Sequence, residues 1–451
     1  MRKIIAAATI AALAAPAAAV DLMGVYEMAS SNDPQIRAAE RRLDAAELET
    51  KLARANFLPQ INSTLQRTPI GNSQPKIAGV ELPDNDIDSE NYSINLTQSL
   101  FDYSNFAQME RARRVIAQAD SQYAVAFQDF LQRTAQRYFE MLNAIDSLRF
   151  AQAEEKALQR QFEQAEQRFE VGLSAVTDFL EAQAAWDASR ARVIVAENAL
   201  ENAREGLREL TGTMFETFKP LAEDLPLDPP VPTTAQEWVQ TALQSNPDLM
   251  VAREAVSIAE TDIKIARSGH LPTLQLSAGY NRSLNNEFAL REDDQTQIGT
   301  TTLQNDQWSA TVLLDIPIFS GLAVQSRTQR ARINRSVAGE ELDINQRQTV
   351  RATENAFRAV LAGIRQVEAL QQALVSADSA LEATNAGFEV GTRTIVDVLL
   401  AEQRFFQAQR DFSQARHQLI LDRLGLRRAA GTLEPEDLER ANELLEGPER
   451  G

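Results

Sequence analysis

Two copies of one ten-residue segment constrain the fold of this chain more than any other feature. FEVGLSAVTD begins at Phe169, and FEVGTRTIVD begins at Phe388, in a chain of 451 residues. In each copy Val-Gly ends a long segment suited to a helix, and another such segment follows at once. Glycine favours a helix C-terminus because it adopts the left-handed conformation without a clash at Cβ. The chain is therefore predicted to be an internal duplication with two helical hairpins, whose tips are these segments.

Long coiled-coil helices are predicted before both tips. From Asp102 to Val171 there is no glycine or proline, and apolar or small residues recur at alternating spacings of four and three. This spacing is typical of a coiled-coil seam, and about seventy residues at ~1.5 Å each extend over roughly 100 Å. The second copy, 321–390, also lacks proline. The return segments are free of glycine and proline as far as Gly206 and Gly425, and they predict helices about half as long.

Four β-strands in two hairpins are predicted upstream of the long helices. Apolar and polar residues alternate after Pro59 and Pro272, and they alternate again after a polar loop. The clearest strand places Leu274, Leu276 and Tyr280 on one face. Each strand is about ten residues long, which is the length that crosses a bilayer at a tilt. From alternation alone, a half-buried sheet in a soluble domain is equally compatible.

The loops between the paired strands, 68–89 and 282–307, are long, polar and acidic. Long polar loops at one end of a sheet and helices at the other are typical of an outer-membrane barrel. Four strands cannot close a barrel, and open strand edges are not tolerated in lipid. A sheet that spans a membrane therefore requires an oligomer.

The N-terminal residues predict export from the cytoplasm. Arg2 and Lys3 precede an alanine-rich apolar stretch, and Ala17, Ala18 and Ala19 form a small-residue cleavage site. This pattern is typical of a signal peptide, which is predicted over residues 1–19. No later segment reaches the ~18 uncharged apolar residues of a transmembrane helix. A membrane location would therefore depend on the predicted strands.

Composition excludes several classes of function. The absence of cysteine excludes disulfides, thiolate metal sites and a cysteine nucleophile. The two histidines, His270 and His417, belong to no recognisable metal or nucleophile pattern, so neither an enzyme nor a cofactor is expected. A net charge of −19 argues against nucleic acid as a partner. The chain also has no Walker pattern, so it cannot power transport with a nucleotide.

The ordered and doubled motifs resemble the TolC family of trimeric outer-membrane efflux ducts. The motifs are the Asn-Pro-Asp helix start at Asn246, HLPTLQLSA from His270, YFEMLNAID from Tyr138 and both Val-Gly tips. The resemblance implies a mixed α and β membrane protein, in which a trimer forms a twelve-stranded β-barrel continuous with a coiled-coil α-helical barrel. Together with the repeats it divides the chain into these segments: signal peptide 1–19, first repeat 20–211 with strand hairpin 60–101 and tip 169–178, linker 212–245, second repeat 246–431 with strand hairpin 273–319 and tip 388–397, and C-terminal equatorial segment 432–451.

The resemblance also implies a gate at the periplasmic end, where the tips converge. Carried over by position, Thr177 and Asp178 of the first tip should meet Arg393 of the second. From the residues alone, the favoured explanation of Asp178 is an acid that interacts favourably with a helix N-terminus. A cation such as Arg393 is disfavoured at that place, so an acceptor would explain it. Where the family has a tyrosine hydroxyl in the gate, this chain has Phe388, so one link is absent or replaced by apolar packing.

Two further sets of tip residues receive roles from the resemblance. Asp397 matches an aspartate that rings the family's entrance and favours cations, whereas the family's second ring falls on Leu400 and is missing. Outside the resemblance, Asp397 is also compatible with an ordinary solvated acid. The positions that match the binding site of a periplasmic adaptor's helical hairpin are Val171, Gly172, Leu173, Val390, Gly391 and Thr392.

The function implied is an exit duct for drugs, toxic small molecules or proteins. Its expected partners are two further copies of itself, a periplasmic adaptor, outer-membrane lipid and an inner-membrane efflux pump or type I secretion ABC transporter. The expected location is the outer membrane, with an extension into the periplasm. A soluble periplasmic coiled-coil adaptor or scaffold is the alternative, and it predicts extraction without detergent.

Overall fold

The computed structural model describes residues 19–73, 76–77, 80–81, 85–287 and 301–445. The predicted signal peptide lies outside these residues except for Ala19, and the end of the C-terminal segment, 446–451, also lies outside them. The chain forms two compact units. Unit 1 takes its described residues from Met1–Arg41, Ser121–Met250 and Asp343–Gly451, and unit 2 takes them from Arg42–Asp120 and Val251–Leu342.

The described residues form ten helices and six strands. The helices are α1 (Leu22–Asn32), α2 (Pro34–Glu47), α3 (Glu49–Ala55), α4 (Tyr103–Glu170), α5 (Val176–Thr211), α6 (Ala235–Ser245), α7 (Pro247–Ser268), α8 (Ala323–Glu389), α9 (Ile395–Ala430) and α10 (Pro435–Asn442). The strands are β1 (Gln60–Ser73), β2 (Lys76–Ile77), β3 (Val80–Glu81), β4 (Asn85–Phe101), β5 (Thr273–Glu287) and β6 (Thr301–Asp315). Among the described residues, no helix is both long and apolar enough to cross a bilayer.

The two predicted helical hairpins are confirmed. In the first, α4 has 68 residues and α5 has 36. In the second, α8 has 67 residues and α9 has 36. Both returning helices run through Gly206 and Gly425 and end before Gly212 and Gly431. A glycine inside a helix costs only about 1 kcal/mol, and burial of neighbours such as Leu207 offsets that cost.

The core of unit 1 joins both hairpins to the linker and the C-terminal helix. Tyr138 of α4 is fully buried, and its hydroxyl donates to the carbonyl oxygen of Lys219 in the linker at 2.9 Å. Burial raises the pKa of this hydroxyl, so it remains a donor. Its buried apolar neighbours come from α1, α4, α5, the linker, α9 and α10 and include Leu22, Phe139, Leu207, Ile420 and Leu438.

Unit 2 contains a four-stranded antiparallel sheet in the order β1-β4-β5-β6. Its register confirms the predicted faces, because Tyr280 lies opposite both Ile94 and Trp308. Apolar side chains of all four strands therefore share one face, and polar side chains share the other. Within one chain the apolar face remains exposed, with 81% of Trp308 and 74% of Leu65 accessible.

The strands are longer than side-chain alternation predicts. Alternation assigns residues 68–89 and 282–307 to loops, but β1 continues to Ser73 and β4 begins at Asn85. Likewise β5 reaches Glu287 and β6 begins at Thr301. Backbone N–H and C=O groups form the ladder, so strands can stay paired where the side-chain pattern is lost.

Candidate functional site

Both hairpins turn through the same hydrogen-bonded cap. At the first tip, the N–H of Leu173 donates to the carbonyl of Arg168 at 2.8 Å, and the N–H of Gly172 donates to that of Phe169 at 2.9 Å. This pair of bonds is the Schellman motif, which requires a left-handed residue after the helix. Gly172 supplies it with φ 74°, and Gly391 supplies it at the second tip with φ 77°. The tip geometry therefore follows directly from the repeated Val-Gly.

The residues matched to the adaptor site are open to solvent in the single chain. The exposed fractions are 68% for Val171, 77% for Leu173 and 74% for Val390. A Cβ built on Gly172 or Gly391 would meet no other residue within 4 Å, apart from its chain neighbours and its own helix backbone. Exposed apolar side chains thus flank backbone that another helix can approach closely.

Thr392 differs from the apolar residues around it. Its hydroxyl donates to the carbonyl oxygen of Gly387 at 3.0 Å, and its N–H donates to the same oxygen at 2.8 Å. The side chain therefore reinforces the turn of the second tip, a role for which Leu173 of the first tip has no group.

Asp397 is part of a capping box that the sequence prediction missed. Its carboxylate Oδ2 accepts bonds from the backbone N–H and the hydroxyl of Thr394, both at 2.9 Å. In return, the Thr394 hydroxyl accepts from the N–H of Asp397 at 3.3 Å. The threonine followed three residues later by an acid is the sequence signal that could have identified it. The first tip has Ala175 at the corresponding place, and that residue makes no side-chain cap.

The capping box also acts on the charge of Asp397. The backbone N–H of Thr394, followed by its hydroxyl, lowers the pKa of this carboxyl, and the positive charge of Arg393 contributes further. The carboxylate therefore stays ionised to lower pH than an ordinary aspartate does. Both of these side-chain bonds go to Oδ2, and among the described residues no donor to Oδ1 is found. Leu400, one helical turn further along α9, is 46% exposed and adds no charge.

The proposed partners Thr177, Asp178 and Arg393 are not joined within one chain. Thr177 is exposed and Asp178 is half-buried in the first turn of α5. In the described residues of a single chain, no hydrogen bond or ion pair links either of them to Arg393. The Arg393 side chain instead lies over the end of α8, where its Cγ would be 2.7 Å from a Cβ built on Gly387. A link between these groups therefore stays a prediction about contacts between copies of the chain.

Phe388 connects the two hairpins of one chain. The guanidinium of Arg168, at the end of α4, lies 4.8 Å from the centre of the Phe388 ring. An arginine over an aromatic face is attracted by the ring's quadrupole. Phe388 also packs against a buried cluster from both hairpins that includes Leu158, Ala182 and Leu399. The sequence prediction missed Arg168, because the residue has no counterpart among the family's gate residues named there.

His417 lies in the interior of unit 1. His417 is buried beside Phe139, and burial lowers its pKa to about 4 although Asp146 acts in the opposite direction. The ring is therefore neutral at physiological pH. Among the described residues, no three His, Asp or Glu side chains are grouped in a way that could hold a metal ion.

Comparison with known proteins adds family information to this geometry. Residues 25–213 and 238–432 match the sequence profile described as outer membrane efflux protein. Over 445 residues the chain is 36% identical to outer membrane protein TolC of Vibrio cholerae serotype O1, and the match covers 98% of each chain. It is 30% identical over 431 residues to the proteases secretion protein PrtF of Dickeya chrysanthemi, with 94% of this chain and 90% of the relative covered.

A solved structure shows the same fold at low sequence identity. The Campylobacter jejuni CmeC outer membrane channel matches with a TM-score of 0.73 at 16% identity. The match covers 94% of this chain and 90% of that chain. The fold class predicted from the sequence, long helical hairpins with a four-stranded sheet, is therefore that of an outer membrane channel.

Proposed function

Because this chain belongs to the family of outer membrane efflux proteins, we propose that it forms an exit duct from the periplasm through the outer membrane. The outer membrane is the location that the family and its TolC relatives share. The duct is passive, since the sequence has no nucleotide-binding motif with which to power transport.

The exposed apolar face of the sheet carries this proposal. A soluble protein normally buries such a face, and large exposed apolar patches mark membrane or protein contacts. Here Trp308 is 81% exposed and Val312 is 61% exposed. The opposite face is polar, as expected for the lining of a water-filled channel.

Closure of the sheet requires other copies of the chain. In the described residues, β1 and β6 each have one neighbouring strand, so each leaves one edge without a partner in the sheet. Unpaired backbone groups are not tolerated in lipid. Three chains with four strands each would form a closed barrel of twelve strands, continuous with a barrel of helical hairpins. The division into two repeats, a linker and a C-terminal segment is part of the same proposal.

The tips are the proposed gate and adaptor site. Between copies, Thr177 and Asp178 approach Arg393, while Phe388 packs against the neighbouring hairpin of its own chain. The exposed Val171, and with it Gly172, Leu173, Val390, Gly391 and Thr392, receive the helical hairpin of a periplasmic adaptor. An inner-membrane efflux pump or a type I secretion transporter supplies the energy.

Similar proteins suggest the class of cargo. One relative is named for protease secretion and another for cation efflux. Both small molecules, including drugs, and secreted proteins are therefore proposed cargo, and the attached transporter selects between them.

Membrane fractionation tests the proposed function. We expect the protein in the outer-membrane fraction, extractable only with detergent, as a trimer whose mobility in gel electrophoresis changes on heating. The purified trimer should form ion-conducting channels in planar bilayers. Release by osmotic shock as a soluble protein would contradict the duct and favour a periplasmic coiled-coil adaptor or scaffold.

Asp397→Asn is expected to weaken block of the channel by multivalent cations. Three copies of the carboxylate would line the entrance, and removal of their charge weakens cation binding. Because the pKa of Asp397 is lowered, block in the unaltered protein should persist as the pH falls below the usual range of an aspartate. Conductance is measured in planar bilayers with added trivalent cations at several pH values.

Thr394→Val is the matched control, because it removes the capping hydroxyl and keeps the carboxylate charge. It should leave block near neutral pH unchanged. Undiminished block in Asp397→Asn would place the ion site elsewhere.

A further inference from the structure

One buried carboxylate joins the two hairpins well away from their tips. The side chain of Glu154 on α4 has 0% exposure. Its Oε1 accepts from Arg192 of α5 at 2.8 Å, and its Oε2 accepts from Arg410 of α9 at 2.9 Å. Arg192 belongs to the same hairpin as Glu154, whereas Arg410 belongs to the other hairpin. Both oxygens of the carboxylate are thus bonded, one within a hairpin and one between hairpins.

The surrounding packing makes this ion cluster unusual. Along α4, the buried apolar residue Ala151, which packs with Val193 and Ala196, precedes Glu154. Leu158, which belongs to the buried cluster around Phe388, follows it. Apolar side chains are therefore accommodated along the same seam. A buried ion pair adds little net stability compared with apolar packing, but it holds its partners in one arrangement, and removal of one partner leaves an uncompensated charge.

A second polar contact crosses the same seam nearer the tips. The side-chain amide of Gln161 on α4 donates to Oε1 of Glu402 on α9 at 3.0 Å. Glu402 is only 6% exposed. Since α4 and α9 run in opposite directions, the pairs Glu154 with Arg410 and Gln161 with Glu402 are consistent with one register between the two helices.

The ion cluster lies at a similar distance behind the tip of each hairpin. At ~1.5 Å per helical residue, Glu154 lies about 27 Å from Gly172 along α4, and Arg410 lies about as far from Gly391 along α9. An ion pair between α4 and α9 at this distance would resist movement of one hairpin past the other.

We propose that Glu154 and Arg410 are positioning residues of the gate. Their ion pair holds α9 against the first hairpin and so favours the closed arrangement of the tips. Arg192 orients the Glu154 carboxylate but does not cross between the hairpins. This inference rests on the proposed function, since it assigns a further control point to the same gate.

The test compares Arg410→Gln with Arg192→Gln. Both changes remove one of two arginines from the same carboxylate, and both keep a neutral hydrogen-bond donor, so both should assemble and lose similar thermal stability. Only Arg410→Gln weakens the contact between hairpins. We expect its channels in planar bilayers to be open at least about fivefold more often, as when a charge-assisted hydrogen bond becomes a neutral one. Arg192→Gln should conduct like the unaltered protein.

Further results separate the proposed role of the Glu154–Arg410 ion pair from the proposed duct function. Arg410→Lys retains the charge with a poorer fit and should fall between Arg410→Gln and the unaltered protein. Equal open probability of Arg410→Gln, Arg192→Gln and the unaltered channel would overturn this role of the ion pair, and it would leave the proposed duct function unaffected. An equal increase in both glutamine variants would also overturn it, because that result marks a purely structural role. Failure of the unaltered protein to conduct would instead contradict the proposed function.

Discussion

Arg393→Ala is expected to raise the open probability and the mean conductance of the channel. In each single chain the Arg393 side chain lies over the end of α8 and is within electrostatic reach of Asp397. Its proposed acceptors, Thr177 and Asp178, come from another copy. An exposed ion pair contributes roughly 0.2–1 kcal/mol, so three symmetric pairs change the ratio of open to closed channels by about threefold to over a hundredfold.

Single-channel recordings in planar bilayers measure this effect, and three variants define its origin. Asp178→Ala should act like Arg393→Ala, and the double variant should add little, because both changes remove one interaction. The exchanged pair, Asp178→Arg with Arg393→Asp, should restore part of the closed state. Arg404→Ala removes the same charge from the exposed side of α9 and should leave gating unchanged. Additive effects of Asp178→Ala and Arg393→Ala would show that these residues act separately.

Gly431→Ala is expected to destabilise unit 1 severely. Gly431 follows α9 with φ 75°, which an alanine adopts at a cost of about 1–2 kcal/mol. A Cβ there would also lie 2.4 Å from the Cα of Asn246 and 2.8 Å from the carbonyl oxygen of Ser245. These are backbone atoms, so they cannot move aside by rotation of a side chain. Overpacking adds about 1–3 kcal/mol, for a total loss near 2–5 kcal/mol.

The surroundings of Gly431 prevent an easy adjustment. Its carbonyl oxygen accepts from the side-chain amide of Gln128 at 2.9 Å. Asn246 in turn donates through its side chain to the carbonyl oxygen of Ala429 at 2.9 Å. Separation of the two backbones would therefore break hydrogen bonds on both sides.

Gly212→Ala is the matched control in the first repeat. Gly212 follows α5 with φ 72°, yet the nearest atoms to a built Cβ belong to the Asn32 side chain at 3.8 Å. The Gly212→Ala variant should therefore lose about 1–2 kcal/mol of unfolding free energy, which is the cost of the left-handed conformation alone. Urea unfolding of the purified protein measures both variants. Equal losses would mean that the close approach to Asn246 is relieved without cost.

The sequence predicts the hairpin tips and the faces of the strands because both depend on neighbouring residues. A left-handed glycine after a helix forms its own hydrogen-bonded turn, so the Schellman caps at Gly172 and Gly391 are already specified by Val-Gly. The alternation around Tyr280 likewise fixes which side chains share a face, since successive strand residues point to opposite sides. The family resemblance then supplies roles for the tip residues, which the single chain does not test.

Other features are decided only by tertiary contacts. The strands continue past the point where alternation ends, because their ladders depend on backbone groups of a partner strand. The returning helices pass Gly206 because packing offsets the weak helix propensity of glycine. Sequence inspection also overlooked the contact of Arg168 with Phe388.

Glu154 is the clearest example of a feature that the sequence does not predict. In the sequence it is one acid among many on a solvated helix, and nothing near it indicates a buried position. Its partner Arg410 is 256 residues away and lies on a helix of the other repeat. Local pattern determines where this chain turns and which faces are apolar, because those properties arise from adjacent residues. Which charges are buried together depends on how distant helices pack, and only the tertiary structure decides it.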